Sequence, residues 1–278
     1  MTRLVVSHMT IGLYLASFGA APVRAEPFHY PVDVVAAADG TIYVADLRLP
    51  GIWRVADGKA EVFVQGSKTF RTPLNAIRCL ALDAEGLLLA GDSATREVYR
   101  VSKSGELTPL TKGGVGIPVC LAVDPEGDIF ASDLELQRIW KIPAAGGEPQ
   151  EYAVLAAVRG MAFDKNGTLW VARGLSPSIA RVRTDGSLDP VLEEQTFSFA
   201  GQMAIGDDGT IYVADGYAKA IWKVSPDGAA NRWIEGEPLV HPVGLAWRGD
   251  DLLIVDPRAN ALFAASPDGT LSRVFPVK

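Results

Sequence analysis

Short runs of alternating apolar and polar residues recur along the whole chain after residue 30. The segment 39–46 reads DGTIYVAD and returns unchanged at 208–215, with four related segments elsewhere. Alternation with period two, broken by turns that contain glycine, is typical of antiparallel β-strands. The segments end 46, 41, 40, 42 and 41 residues apart, which predicts six copies of one unit between residues 31 and 276. Their last residues are Asp46, Asp92, Asp133, Arg173, Asp215 and Asp256.

Each copy divides into four predicted strands. In the third copy these are VCLAVD (119–124), IFASD (129–133), RIWKI (138–142) and a final short run. A single four-stranded meander cannot bury both of its faces, whereas six meanders arranged radially cover one another. The sequence therefore predicts an all-β protein, a six-bladed β-propeller of four-stranded antiparallel blades, forming one domain over residues 26–278.

The repeat unit P-x-x-L-A-V-D-x-x-G-x-I-Y-V-A-D, followed by R-I-W-K-V, resembles the NHL repeat. More broadly, residues 31–276 are similar to the six-bladed superfamily of gluconolactonase/regucalcin-like proteins, strictosidine synthase-like proteins and peptidyl-hydroxyglycine amidating lyases. The resemblance implies the fold. It does not imply one activity, because these families include hydrolases, lyases and binding modules.

The first 25 residues have the features of a secretory signal. Arg3 precedes a mostly apolar stretch from residue 4 to 18, and Val23-Arg24-Ala25 fits a small-residue cleavage site. The alternative is a buried first helix. No other stretch approaches the length of a membrane span, so we expect an exported protein, secreted or periplasmic, without a transmembrane segment.

The amino-acid composition excludes several classes of partner and of site. The chain is 48% hydrophobic, which excludes wholesale disorder, and its formal net charge of −7 argues against a nucleic-acid partner. The only cysteines, Cys79 and Cys120, cannot form a Cys-rich zinc site. They hold equivalent positions in adjacent repeats, too far apart for a disulfide, and we expect two buried free thiols.

The repeated residues are expected to serve the scaffold. The aliphatic and aromatic positions belong to the core between blades. The aspartate that ends each second strand is expected to bond the backbone or a basic residue of a neighbouring loop, as aspartate commonly does at turns, and no metal is expected there.

Departures from the repeat indicate a site. Six residue pairs that open the first strands should face the central channel: Val32-Asp33, Arg78-Cys79, Val119-Cys120, Arg159-Gly160, Gly201-Gln202 and Val243-Gly244. Two arginines replace small residues there, and Arg173 replaces the repeat aspartate, which should bring three arginines to one mouth of the channel. Arginine suits carboxylate and phosphate; the alternative is that each pairs with an acid or stacks on an aromatic ring. The candidate ligand-binding residues are Arg78, Arg159, Arg173, Asp33, Asn75 and Gln202.

Two further irregularities lie near this face. The first repeat interval is five residues longer than 41, and the excess falls in QGSKTFRTPLN (65–75), either a lip beside Arg78 or a tolerated surface loop. His29 precedes the first repeat and His241 the sixth. No third metal ligand accompanies them, so a surface or cap role is favoured.

Three functions fit these features. The first is an exported binding module, without a cofactor, for a small anionic molecule, glycan or peptide at the channel mouth. The second is a divalent-metal lactone hydrolase, because the gluconolactonase resemblance implies a calcium-type ion held by oxygen ligands. Here only Asp33, Asn75 and Gln202 offer oxygen at the matching positions, and two arginines would repel the ion. The third is a lyase, for which the sequence identifies no base.

Overall fold

The alternating pattern folds into 24 antiparallel strands in the computed structural model, which describes residues 28–277. Four consecutive strands form each of six sheets, and their first strands pack against one another in a closed ring. The predicted six-bladed β-propeller of four-stranded antiparallel blades is confirmed. The predicted signal, residues 1–25, lies outside the described residues.

The first three blades take up residues 31–153. Their strands are β1 Pro31–Ala36, β2 Ile42–Asp46, β3 Gly51–Ala56, β4 Lys59–Gln65, β5 Ile77–Leu82, β6 Leu88–Asp92, β7 Glu97–Val101, β8 Leu107–Pro109, β9 Pro118–Val123, β10 Ile129–Asp133, β11 Arg138–Ile142 and β12 Gln150–Ala153.

Blades four to six take up residues 158–275. Their strands are β13 Val158–Phe163, β14 Leu169–Arg173, β15 Ile179–Val182, β16 Leu188–Leu192, β17 Ala200–Ile205, β18 Ile211–Asp215, β19 Ala220–Val224, β20 Ala230–Glu235, β21 Gly244–Arg248, β22 Asp251–Asp256, β23 Ala261–Ala265 and β24 Leu271–Phe275. In the described part of the chain, no helical segment has the length and apolar character that a membrane span requires.

The core lies between the blades, where apolar side chains of the first three strands of each sheet meet those of the next sheet. The junction of the last blade with the first closes the ring chiefly by apolar packing. Phe28 lies 4.7 Å from Phe275 and 5.8 Å from Trp53, ring centre to ring centre, and all three are buried. These large apolar surfaces hold the ring shut without a shared strand.

The aspartate that ends the second strand ties the mouth loops together. The carboxylate of Asp46 accepts hydrogen bonds from the backbone N–H groups of four loop residues and from the indole of Trp53. The corresponding aspartates of four other blades accept backbone N–H groups in the same way. The expectation that they bond the backbone is confirmed.

In blade four the side chain at this position donates hydrogen bonds instead of accepting them. Arg173 is buried, and its guanidinium donates to the carbonyl oxygens of Ala156 (3.1 Å) and Ser176 (3.5 Å). An arginine thus bonds loop carbonyls where aspartate bonds loop N–H groups in the other five blades. Arg173 therefore departs from the repeat for a structural reason: it joins the loop before β13 to the loop after β14, as the aspartates do in the other blades.

Candidate functional site

β-bulges aim side chains into the mouth of the channel. At the start of the first strand in blades one to five, the pairing with the second strand skips residues. A bulge leaves the extra residue outside the ladder and redirects its side chain. The skipped residues are Val32, Arg78, Val119, Arg159 and the pair Gly201-Gln202.

A cavity of about 180 Å³ occupies the mouth, and all six blades contribute to its wall. The first member of every predicted channel-facing pair lines it. Gly201 is required where the inner strands approach, because a Cβ there would lie 2.6 Å from the carbonyl oxygen of Val243. The lining residues are Tyr30, Val32, Arg78, Val119, Arg159, Phe199, Ala200, Gly201, Gln202, His241, Val243 and Pro257.

The two arginines of the wall carry the positive charge of the cavity. The guanidinium of Arg159 stacks 4.7 Å from the ring centre of Phe199, and burial lowers its pKa. Arg78 is exposed, and its Nε donates to Ser93 Oγ at 3.2 Å. Within residues 28–277, neither arginine forms an ion pair with a carboxylate. Both retain guanidinium N–H groups for a ligand.

Below the cavity, a buried polar network closes the channel. Gln202 Nε2 lies 3.4 Å from Asp33 Oδ2 and 3.3 Å from the carbonyl oxygen of Val119. The Oε1 atom of Gln202 accepts from Cys120 Sγ at 2.9 Å. Leu80 N–H donates to Asp33 Oδ2 at 2.8 Å, which joins a fourth blade to the network. Gln202 therefore serves both as cavity floor and as the link across the axis.

Burial favours the neutral forms of the titratable groups in this network. Burial raises the pKa of Asp33 to about 7, although two backbone N–H groups oppose the shift. Burial also raises the pKa of Cys79 and Cys120, and both thiols are free, as expected. Thiols that stay protonated are poor nucleophiles, so neither cysteine is suited to covalent catalysis.

The raised pKa of Asp33 predicts a measurable dependence of stability on pH. The folded protein keeps a proton that the unfolded chain, with a pKa near 3.9, releases. Between about pH 4 and 7 the contribution of Asp33 to stability therefore falls as pH rises, by about 4 kcal/mol in total, and is constant above pH 7. Relative to Asp33→Asn, the wild type should become less stable across this window in urea unfolding. Asp39→Asn, in an exposed turn, is the control; parallel curves for wild type and Asp33→Asn would contradict the assignment.

His241 is the cavity residue that sequence reasoning missed. It was expected at the surface or as a cap, yet it is 6% exposed and lies in a ring cluster with Phe199 (5.5 Å) and Tyr217 (5.4 Å). Its Nδ1 is buried without a hydrogen-bond partner, and burial lowers the pKa of the imidazole. Gly216 makes room for it, since a Cβ there would lie 2.5 Å from the ring. The glycine at position 216 is the sequence feature that could have indicated a buried ring at this point.

Three of the six candidate residues do not line the cavity: Asn75, Arg173 and Asp33. Asn75 Nδ2 donates to the carbonyl oxygen of Ser67 at 2.9 Å, which braces the inserted segment 65–75 upon itself. Arg173 is held by the loop carbonyls of its own blade. Arg78, Arg159 and Gln202 line the cavity, and Asp33 lies beneath it.

The mouth does not fit the oxygen-ligated metal ion that the gluconolactonase resemblance implies. Asp33 is the one carboxylate in the network, and its oxygens already accept N–H groups from Val34 and Leu80. Among the described residues, no group of three or more His, Cys, Asp or Glu side chains is arranged to hold a metal. Two arginines on the wall would repel a cation, whereas divalent ions require several free oxygen ligands.

Comparisons with known proteins place the chain among the six-bladed β-propellers by fold. No family model matches the sequence, and no curated protein sequence matches it significantly. A gluconolactonase from Xanthomonas campestris has a TM-score of 0.71 at 17% identity, covering 90% of this chain and 87% of its own. Virginiamycin B lyase from Staphylococcus aureus has a TM-score of 0.68 at 17% identity, covering 90% and 85%.

A third solved structure, of a nidogen/laminin complex, has a TM-score of 0.66 at 19% identity and covers 85% of this chain and 89% of its own. At these identities the likeness concerns architecture. The resemblance to the six-bladed superfamily that contains the gluconolactonase-like proteins is confirmed at the level of the fold.

Proposed function

We propose that the protein binds a small organic anion, bearing a carboxylate or phosphate group, in the cavity at the channel mouth. The observation that carries this proposal is the pair of arginines, Arg78 and Arg159, which line one cavity and have no carboxylate partner in the described structure. Guanidinium groups bind such anions through charge-assisted, often bidentate, hydrogen bonds.

The other residues of the cavity wall determine which group the anion should carry beside its charge. Val32, Val119 and Val243 are apolar, and Phe199 and Tyr30 add aromatic surface, so the anion should carry an apolar part. Stacking of Arg159 on Phe199 fixes the guanidinium before a ligand arrives, which lowers the entropic cost of binding. Gln202 offers polar atoms at the floor. A peptide terminus or a sugar acid would satisfy the same chemistry.

The proposal includes export, since residues 1–25 have the features of a secretory signal. A secreted or periplasmic protein would meet small anions, sugar acids or peptides from outside the cell. One structural neighbour comes from a protein–protein complex, nidogen with laminin, and supports keeping a peptide or protein among the partners.

A thermal-shift screen tests the proposal. Aromatic and aliphatic carboxylates, sugar acids and organic phosphates are compared with their neutral amides or alcohols, each with added calcium and with EDTA. Ligand in hundredfold excess over its dissociation constant should add about 2.7 kcal/mol of stability. We expect a shift for at least one anion, none for its neutral counterpart, and no effect of EDTA. Stabilisation by calcium that EDTA abolishes would instead favour the metal-dependent lactone hydrolase.

His241 favours a second candidate, an elimination of the lyase type. Burial lowers the pKa of the imidazole, which lies in the same cavity as two arginines that could stabilise a carboxylate product. The fold neighbour virginiamycin B lyase supports considering this chemistry. Incubation with virginiamycin B, followed by mass spectrometry, tests it: elimination adds no atoms, so the product masses sum to that of the substrate, whereas hydrolysis adds one water. An unaltered substrate, or a reaction unaffected in His241→Ala, would rule it out.

A further inference from the structure

A second cavity lies on the face opposite the mouth, in the groove between blades five and six. Its volume is about 400 Å³, and it is formed by the turns that join the first and second strands of these blades. The mouth residues do not contribute to it. The lining residues are Ile205, Gly206, Asp207, Asp208, Tyr212, Trp233, Trp247, Gly249, Asp250 and Pro267.

Blade six departs from the repeat at this groove in two ways. In the first five blades a five-residue turn joins the first and second strands, whereas only Gly249 and Asp250 join β21 to β22. The two residues of the shorter turn line the cavity directly. Trp247 stands at this turn, where the preceding blade has Ile205. A large aromatic ring therefore borders the groove.

Three aromatic side chains form the walls. Tyr212 lies 5.1 Å from both Trp233 and Trp247, at interplanar angles of 70° and 90°. Trp247 Nε1 donates to the carbonyl oxygen of Ile205 at 2.8 Å, which fixes the orientation of the indole. The walls are thus rigid and largely apolar, as in sites for small ligands.

The charges of the groove disfavour an anionic ligand, and one aromatic face already carries a cation. Lys223 Nζ lies 4.1 Å from the ring centre of Trp233 and 5.2 Å from that of Tyr212, so a bound cation could not take that face. Three exposed or half-exposed carboxylates on the rim, at Asp207, Asp208 and Asp250, would repel an anion. A neutral ligand meets neither penalty.

We infer that this groove binds a neutral carbohydrate. A sugar ring has an apolar face of C–H groups that can stack on the Trp247 indole, which no side-chain cation covers among the described residues. Its hydroxyls both donate and accept hydrogen bonds, so they can bond the carboxylates of Asp207 and Asp250 and the ammonium of Lys223. The side chains of Asp207 and Asp250 have no hydrogen-bond partner within residues 28–277, and the site is independent of the anion cavity.

Titrations of the full chain with maltohexaose, cellohexaose and chitohexaose, followed by tryptophan fluorescence, test the inference. We expect at least one sugar to bind, and Trp247→Leu to weaken it at least about tenfold. Asp250→Asn, in an exposed turn, should weaken it severalfold without affecting the fold. Trp170→Leu is the matched control, because Arg181 covers that indole in the neighbouring groove at 4.6 Å. The double variant Arg78→Gln/Arg159→Gln should bind the sugar normally.

Three results would overturn the inference. The first is no response to any of the three sugars at about 10 mM. The second is binding that both Trp247→Leu and Asp250→Asn leave unchanged. The third is a response in the groove to tetramethylammonium or succinate that exceeds the response to every sugar, since that would assign the groove to an ion.

Discussion

The double variant Arg78→Gln/Arg159→Gln should lose anion binding by about 10²–10⁴-fold. A hydrogen bond to a charged group contributes about 1.5–3 kcal/mol, and each substitution removes one such group from the cavity. Glutamine retains part of the side-chain volume and an amide donor, so the loss reports the charge. Each single variant should show about half of the effect in free energy, measured by calorimetric titration with the best anion from the screen.

Arg96→Gln is the matched control for this experiment. Arg96 lies on the same face, but its guanidinium is already paired with Glu135 at 3.0 Å. Its substitution should change the dissociation constant by no more than a weak surface charge does. An equal loss in Arg96→Gln, or full binding in the double variant, would show that the cavity arginines do not hold the anion.

Asp46→Ala should destabilise the protein by about 3–5 kcal/mol. The substitution leaves five buried or half-buried donors without their acceptor, including the indole of Trp53 and the backbone N–H of Leu49. The same carboxylate joins the loop before β1 to the loop after β2, so its loss also loosens the closing blade. Urea unfolding measures the effect.

A milder substitution and a control substitution accompany this measurement. Asp46→Asn keeps one oxygen acceptor and should give an intermediate loss, which remains measurable if Asp46→Ala does not fold. Asp39→Ala removes a single bond to Thr41 in an exposed turn and should cost no more than about 1 kcal/mol. If Asp46→Ala is as stable as Asp39→Ala, the repeat aspartate is not the tie between the loops.

The blade architecture could be predicted because the same sequence pattern occurs six times along the chain, once in each blade. The period-two alternation and the glycine turns locate β9 and β10 within one or two residues of their observed bounds. The roles of the repeated aspartates followed from turn chemistry. Arg173 differs because its partners are carbonyl groups, and a single sequence does not show which backbone groups a loop leaves free.

The candidate site could be predicted only where it follows the repeat. Aligning the turns located Arg78 and Arg159 on the channel, since β-bulges recur at the same position in neighbouring blades. Burial of His241 depends on a contact with Gly216, 25 residues away on another blade, and no local pattern encodes it. The pKa of Asp33 likewise depends on closure of the channel by Gln202 and the neighbouring strands.

One measurement tests the central claim most directly, which is that the mouth cavity holds an anion through Arg78 and Arg159. The wild-type protein is titrated calorimetrically with the best carboxylate from the screen and with the corresponding carboxamide, at low and at high salt. We predict that the carboxylate binds at least about thirtyfold more tightly than the amide and that salt weakens only the carboxylate. Equal affinities for the two compounds, unaffected by salt, would contradict an arginine-based anion site.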